Sequence, residues 1–157
     1  MKQRNLLCWI LVIMSPILFA RLSPAEGPVK PQAKDKCPVC GMFISLYPAW
    51  MAEIVFQDGT YAVFDGPKDM LKYYLDMSRY NKAKTPKDIS RIYVTEYYTT
   101  DMMEAKDVFF IRGSDVMGPM GKEFVPVKGK REALTFMRDH HGKKMFRFNE
   151  ITASDIP

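Results

Sequence analysis

The chain has 157 residues, three cysteines, and 23 Lys and Arg against 18 Asp and Glu, for a formal net charge of +5. That length supports one compact domain, or two very small modules sharing a core. Three cysteines are too few for a disulfide scaffold of this size. The basic residues form no cluster of the kind that would mark a nucleic-acid partner.

Met1-Lys2-Gln3-Arg4-Asn5 is a positive start, and Leu6 to Ala20 runs apolar. The apolar run falls short of the about 20 residues that a bilayer-crossing helix needs. Ser23-Pro24-Ala25 places small residues where signal peptidase cuts. Residues 1–25 therefore read as a secretory signal and place the mature chain in the periplasm. The alternative is an uncleaved anchor that holds it at the membrane. Cleavage after Ala25 removes Lys2, Arg4 and Arg21, which lowers the net charge to +2 and leaves 132 residues. Cys8 leaves with the signal, because Asn5-Leu6-Leu7 lacks the small residues of a lipoprotein site.

Residues 26–36 carry Pro28 and Pro31 among charged and small residues and read as an extended linker. Lys36-Cys37-Pro38-Val39-Cys40-Gly41-Met42 follows, with two thiols and a thioether within six residues. Ala52, Ile54 and Phe56 lie on one face with Glu53 and Gln57 on the other, Asp58-Gly59 is a hairpin turn, and Tyr61 to Phe64 returns as a second strand. Asp65-Gly66-Pro67 reads as a helix start, with Met70, Leu71, Tyr74 and Leu75 at helical spacing behind it. Tyr80 to Asp88 is a loop, and Arg91 to Tyr98 is a strand rich in β-branched and aromatic residues.

The order then repeats. Val108 to Ile111 and Lys122 to Val127 are strands, and Lys130 to His140 is a helix with Ala133, Leu134 and Met137 on its apolar face. Gly142 ends that helix and Met145 to Phe148 closes the unit. The expected fold class is α+β: two tandem related strand-strand-helix-strand modules, 37–104 and 105–157, after the N-terminal signal segment. The second strands and helices align at an offset of 63, but the first strands at about 56. The second hairpin is therefore longer by several residues. Arg112 to Gly121 becomes an enlarged loop presenting Met117 and Met120 among glycines, and such loops often carry function.

Thiolate and thioether donors favour Cu(I), which is content with two or three ligands. Zinc prefers four, and only His140 and His141 stand in reserve to supplement the thiols. A redox Cys-x-x-Cys belongs at a helix N-terminus, and no capped helix is in view after Cys40. By spacing alone, a disulfide between Cys37 and Cys40 and a metal clip both remain open. Met117 and Met120 have a bland reading too, as core filler folded back from a loop. Met102 and Met103 read as core. Asp65 is given to the helix start and to no metal.

Cys37-Pro38-Val39-Cys40-Gly41-Met42, followed about eighty positions later by Gly118-Pro119-Met120-Gly121, resembles the NosL family. The likeness extends to Phe64-Asp65 and to Phe148-Asn149-Glu150-Ile151. Members of that family are exported copper-binding accessory proteins of nitrous oxide reductase maturation. The resemblance implies a Cu(I) metallochaperone that is not an enzyme, with Cys37, Cys40, Met42 and Met120 as ligands or their close neighbours and Met117 added from its position in the loop. Its implied partner is an apo copper enzyme, nitrous oxide reductase or its membrane assembly complex. The competing functions are a thiol-disulfide oxidoreductase using the Cys-x-x-Cys and a structural zinc module.

Overall fold

The computed structural model describes residues 27–157. The expected signal segment, Cys8 included, lies outside the described residues. No described helix is long and apolar enough to cross a membrane.

Strand β1 (Ala52–Phe56) pairs antiparallel with β2 (Tyr61–Phe64), in register Ala52 with Phe64, across the expected Asp58-Gly59 turn. Helix α1 (Pro67–Leu75) starts at the proline, runs into the short α2 (Met77–Tyr80), and leads to β3 (Ile89–Thr95). β3 lies on the other side of β1, and β4 (Met102–Glu104) adds beyond it, giving the order β2-β1-β3-β4. The second sheet is built from β5 (Val108–Gly118), β6 (Gly121–Lys128) and β7 (Lys144–Phe146), with α3 (Lys130–Asp139) between the last two. Its order is β6-β5-β7. In both sheets the first strand is flanked by the hairpin partner and by the strand that follows the helix.

β1 is buried along its whole length, Glu53 included, so the polar face expected from its alternation is covered as well. Ala52, Ile54 and Phe56 join Phe64, Val94, Met70, Leu71 and Tyr73 in the main core. In β5 the run Val108-Phe109-Phe110-Ile111 is apolar throughout because both faces are covered. Val108 and Phe110 enter the main core, while Phe109 and Ile111 meet Ala133 and Phe136 of α3. Burying each such phenylalanine stabilises the fold by roughly 1.5–3 kcal/mol. The face of α3 departs from expectation at one residue. Leu134 is 51% exposed, and Phe136 takes the buried place beside Ala133.

Two further departures bear on the site. The segment read as a linker is fastened from Val29 onward. The Val29 N–H donates to both carboxylate oxygens of Glu53 at 3.0 Å, and Asp35 accepts from the Tyr61 hydroxyl at 2.9 Å. The enlarged loop at 112–121 is no open loop. β5 and β6 stay paired out to Gly118 and Gly121, with Pro119-Met120 as the turn. Register slips between Arg112 and Met117, where residues 113–116 stand opposite Glu123 alone. Glycine and proline disguised this projecting hairpin arm, because a β-bulge absorbs residues that break strand alternation.

Candidate metal centre

The thiols sit in a tight loop closed by the chain itself. Lys36 and Phe43 form an antiparallel bridge. Inside it the Cys37 N–H donates to the Met42 carbonyl at 2.9 Å, and the Gly41 N–H to the Cys37 carbonyl at 2.8 Å. Gly41 has φ +79, a left-handed turn position that suits glycine. Cys37 is buried and Cys40 half-buried, and both are free.

Opposite this loop stands the junction of β2 and α1. Asp65 directly follows the strand and Asp69 lies in the first turn of the helix, where the dipole favours a negative charge. Both carboxylates are buried. Cys40 Sγ donates to Asp65 Oδ1 at 3.1 Å, and Cys37 Sγ lies 3.7 Å from Asp69 Oδ2. One ligand atom from each of the four residues falls within 4.8 Å of all the others. Lys72 Nζ, at 3.2 Å from Asp69 Oδ1, closes one flank.

Burial pushes the Cys37 thiol up to about 11, with the Asp65 carboxylate adding to the rise. Burial raises Cys40 further, again with Asp65 among the causes. Backbone N–H groups oppose this: those of Cys40 and Val39 face the Cys37 sulfur, and that of Met42 faces Cys40. Without a metal, both groups are therefore neutral thiols at neutral pH. Donors that stabilise thiolate charge are already in place, so a cation that displaces the thiol protons finds the site built for the product.

The methionines occupy different surroundings. Met42 ends the thiol loop and is half-buried. Met117 and Met120 are 55% and 48% exposed on the hairpin arm. That arm is held against the start of α1 by a buried lysine. Lys68 Nζ donates to the Met120 carbonyl at 2.8 Å and the Lys122 carbonyl at 2.7 Å. The Lys68 backbone N–H donates to Glu123, which also accepts from the Phe124 N–H. Lys68 adjoins Asp69, so the latch brings the arm to the helix turn that carries that buried acid.

His140 and His141 stand apart from the thiols. His140 Nδ1 lies 3.1 Å from Asp115 Oδ1, and its ring stacks on Phe136. Met102 Sδ accepts from Thr95 Oγ1, and Met103 packs on the main core. Sequence reasoning missed Asp69 and gave Asp65 to the helix start. An acid before a helix or in its first turn has an ordinary local explanation, and only the docking of the thiol loop reveals a second one.

The family model for NosL matches residues 28–156. Among solved structures, the crystal structure of the copper chaperone NosL from Shewanella denitrificans superposes with a TM-score of 0.71 at 22% identity, covering 83% of this chain and 99% of that one. At that identity the likeness is one of fold. The solution structure of apo-NosL from Achromobacter cycloclastes is 23% identical over 67% of this chain and 87% of its own, with a TM-score of 0.48. No curated protein sequence matches at a significant level. With the family model spanning nearly all of the described residues, the chain belongs to the NosL family.

Proposed function

We propose that the protein is a Cu(I) metallochaperone working outside the cytoplasm. It takes up copper at Cys37 and Cys40 and passes it by ligand exchange to an apo copper enzyme, nitrous oxide reductase or its membrane assembly complex. The carrying observation is the convergence of two thiols, backed by backbone donors, at the start of α1. Membership of the NosL family and the chaperone of the same fold from Shewanella denitrificans support this reading. Met42 and the latched arm bearing Met117 and Met120 supply thioethers, which prefer Cu(I) to harder ions. The cargo is bound and released, so no bond of a substrate is made or broken.

The paired carboxylates favour one alternative, a Cys₂Asp₂ site for Zn(II), because oxygen donors suit the harder ion. The oxidoreductase reading has the opposite of what it needs, since a catalytic thiol is one whose pKa is lowered and both thiols here are raised. The test is metal analysis of protein isolated without added metal, followed by Cu(I) competition against a chromogenic chelator under reducing conditions. One Cu(I) per chain, lost in Cys37→Ser, is expected. Retention of zinc with no Cu(I) binding sinks the proposal.

A further inference from the structure

The bulge in β5 opens beside a cavity of about 390 Å³, within the range of small-ligand sites. Arg112, Lys122, Lys143 and Lys144 line it together with Gly113, Ser114 and Pro157. Asp155 lies 3.6 Å from Arg112 Nη1 and 3.8 Å from Lys144 Nζ, which offsets part of that charge. The ammonium groups of Lys122 and Lys143 have no acidic partner among the described residues. Glu123 also borders the cavity, but its carboxyl is buried and takes the N–H groups of Lys68 and Phe124.

Ser114 supplies a second, independent observation. Its Oγ is buried with no hydrogen-bond partner, the one such side-chain atom among the described residues. Such a hydroxyl keeps a donor free for a ligand that reaches the bulge. Gly113, at φ +80, lets the Lys143 stem lie against the bulge, since a Cβ there would stand 2.9 Å from Lys143 Cγ. Charge, a spare donor and close backbone approach thus meet in one hollow.

We infer that this cavity binds a phosphate group, with the Lys143 and Lys122 ammonium groups on its oxygens and the Ser114 hydroxyl, closed off from solvent in the unliganded chain, turning about its Cα–Cβ bond to join them. A phosphate group offers more acceptor oxygens, spread about a tetrahedral centre, than the two coplanar oxygens of a carboxylate, and so suits two ammonium groups and a hydroxyl that approach from different sides. The volume exceeds a bare phosphate, so the group arrives either on a phospholipid headgroup or as a small free phosphate. The inference is independent of the metal centre.

Inorganic phosphate titrated into the metal-free protein is expected to bind saturably, shifting the amide resonances of Gly113, Ser114 and Lys143. Ser114→Ala is expected to weaken that binding by roughly tenfold, as for one hydrogen bond to a charged group. The same change leaves the thermal midpoint of the unliganded protein level or higher, because it removes an unpaired buried hydroxyl. Lys143→Gln weakens phosphate in the same sense. Co-sedimentation with phosphatidylglycerol vesicles, competed by phosphate and lost in Ser114→Ala, assigns the headgroup source. Phosphate binding without vesicle capture assigns the free one. No saturable phosphate binding, equal affinity in both variants, or heat from a glutamate-rich peptide alone overturns the inference.

Discussion

Lys68 is the residue on which the geometry of the hairpin arm turns, and Lys68→Met isolates its contribution. Methionine keeps most of the stem and removes only the ammonium, with its two hydrogen bonds to the Met120 and Lys122 carbonyls. Each bond from a charged donor contributes roughly 1.5–3 kcal/mol. Removing a buried charge returns part of that, because the ammonium no longer has to be desolvated. A net loss of about 2–3 kcal/mol follows, or roughly 10 °C in thermal midpoint for a domain of this size. Hydrogen exchange distinguishes the mechanism from general weakening. Amides at residues 117–122 are expected to exchange faster, while those of β1 and β3 keep their order of protection. Cu(I) affinity should fall with the loosened arm. A midpoint within about 2 °C of wild type, with unaltered exchange in the arm, refutes the latch.

Met120→Ala should lower Cu(I) affinity in the chelator competition while leaving the circular dichroism unchanged, and an unaltered affinity removes the arm from the site. Asp65→Asn should separate soft from hard binding. Zn(II) affinity is expected to drop by roughly tenfold or more, with a much smaller change for Cu(I), and equal losses would make the carboxylate a copper ligand. Glu123 gives a pH dependence. Burial pushes its carboxyl up from 4.5 to about 8, so the folded state binds the extra proton across that window. Stability on this account is greatest below pH 4.5 and declines as pH rises towards 8. Glu53, raised by burial from 4.5 to about 7, adds a decline of the same sign. Glu123→Gln should flatten the upper part of the decline in denaturant titrations, and a slope identical to wild type between pH 7 and 8 would count against the assignment.

The elements that sequence period controls were legible. β1 and β2 alternate around Asp58-Gly59, and Pro67 and Lys130 open the helices where the repeat comparison placed them. The path of residues 112–121 was not, because a four-residue bulge opposite Glu123 looks, in one dimension, like the end of a strand. Leu134 was misassigned for a related reason: the apolar face of α3 is set by what β5 and β6 present to it, and they present a slot for Phe136. The centre was half legible. Cys37 and Cys40 announce themselves by spacing, whereas Asp65 and Asp69 are 25 and 32 positions away from the thiols they face. Nothing local distinguishes them from acids that serve a helix start.

The register break in β5 has a consequence for how this protein tolerates change. Residues 108–111 are pinned by packing on both faces, and the arm beyond residue 116 follows its own pairing. Between them the ladder carries no fixed count, so a residue gained or lost at 113–116 leaves the inward and outward alternation of the root untouched. The arm is thereby a separable part. Its length is open to variation at the bulge without the strand root having to be rebuilt, while its aim stays set by the Lys68 latch on the Met120 and Lys122 carbonyls.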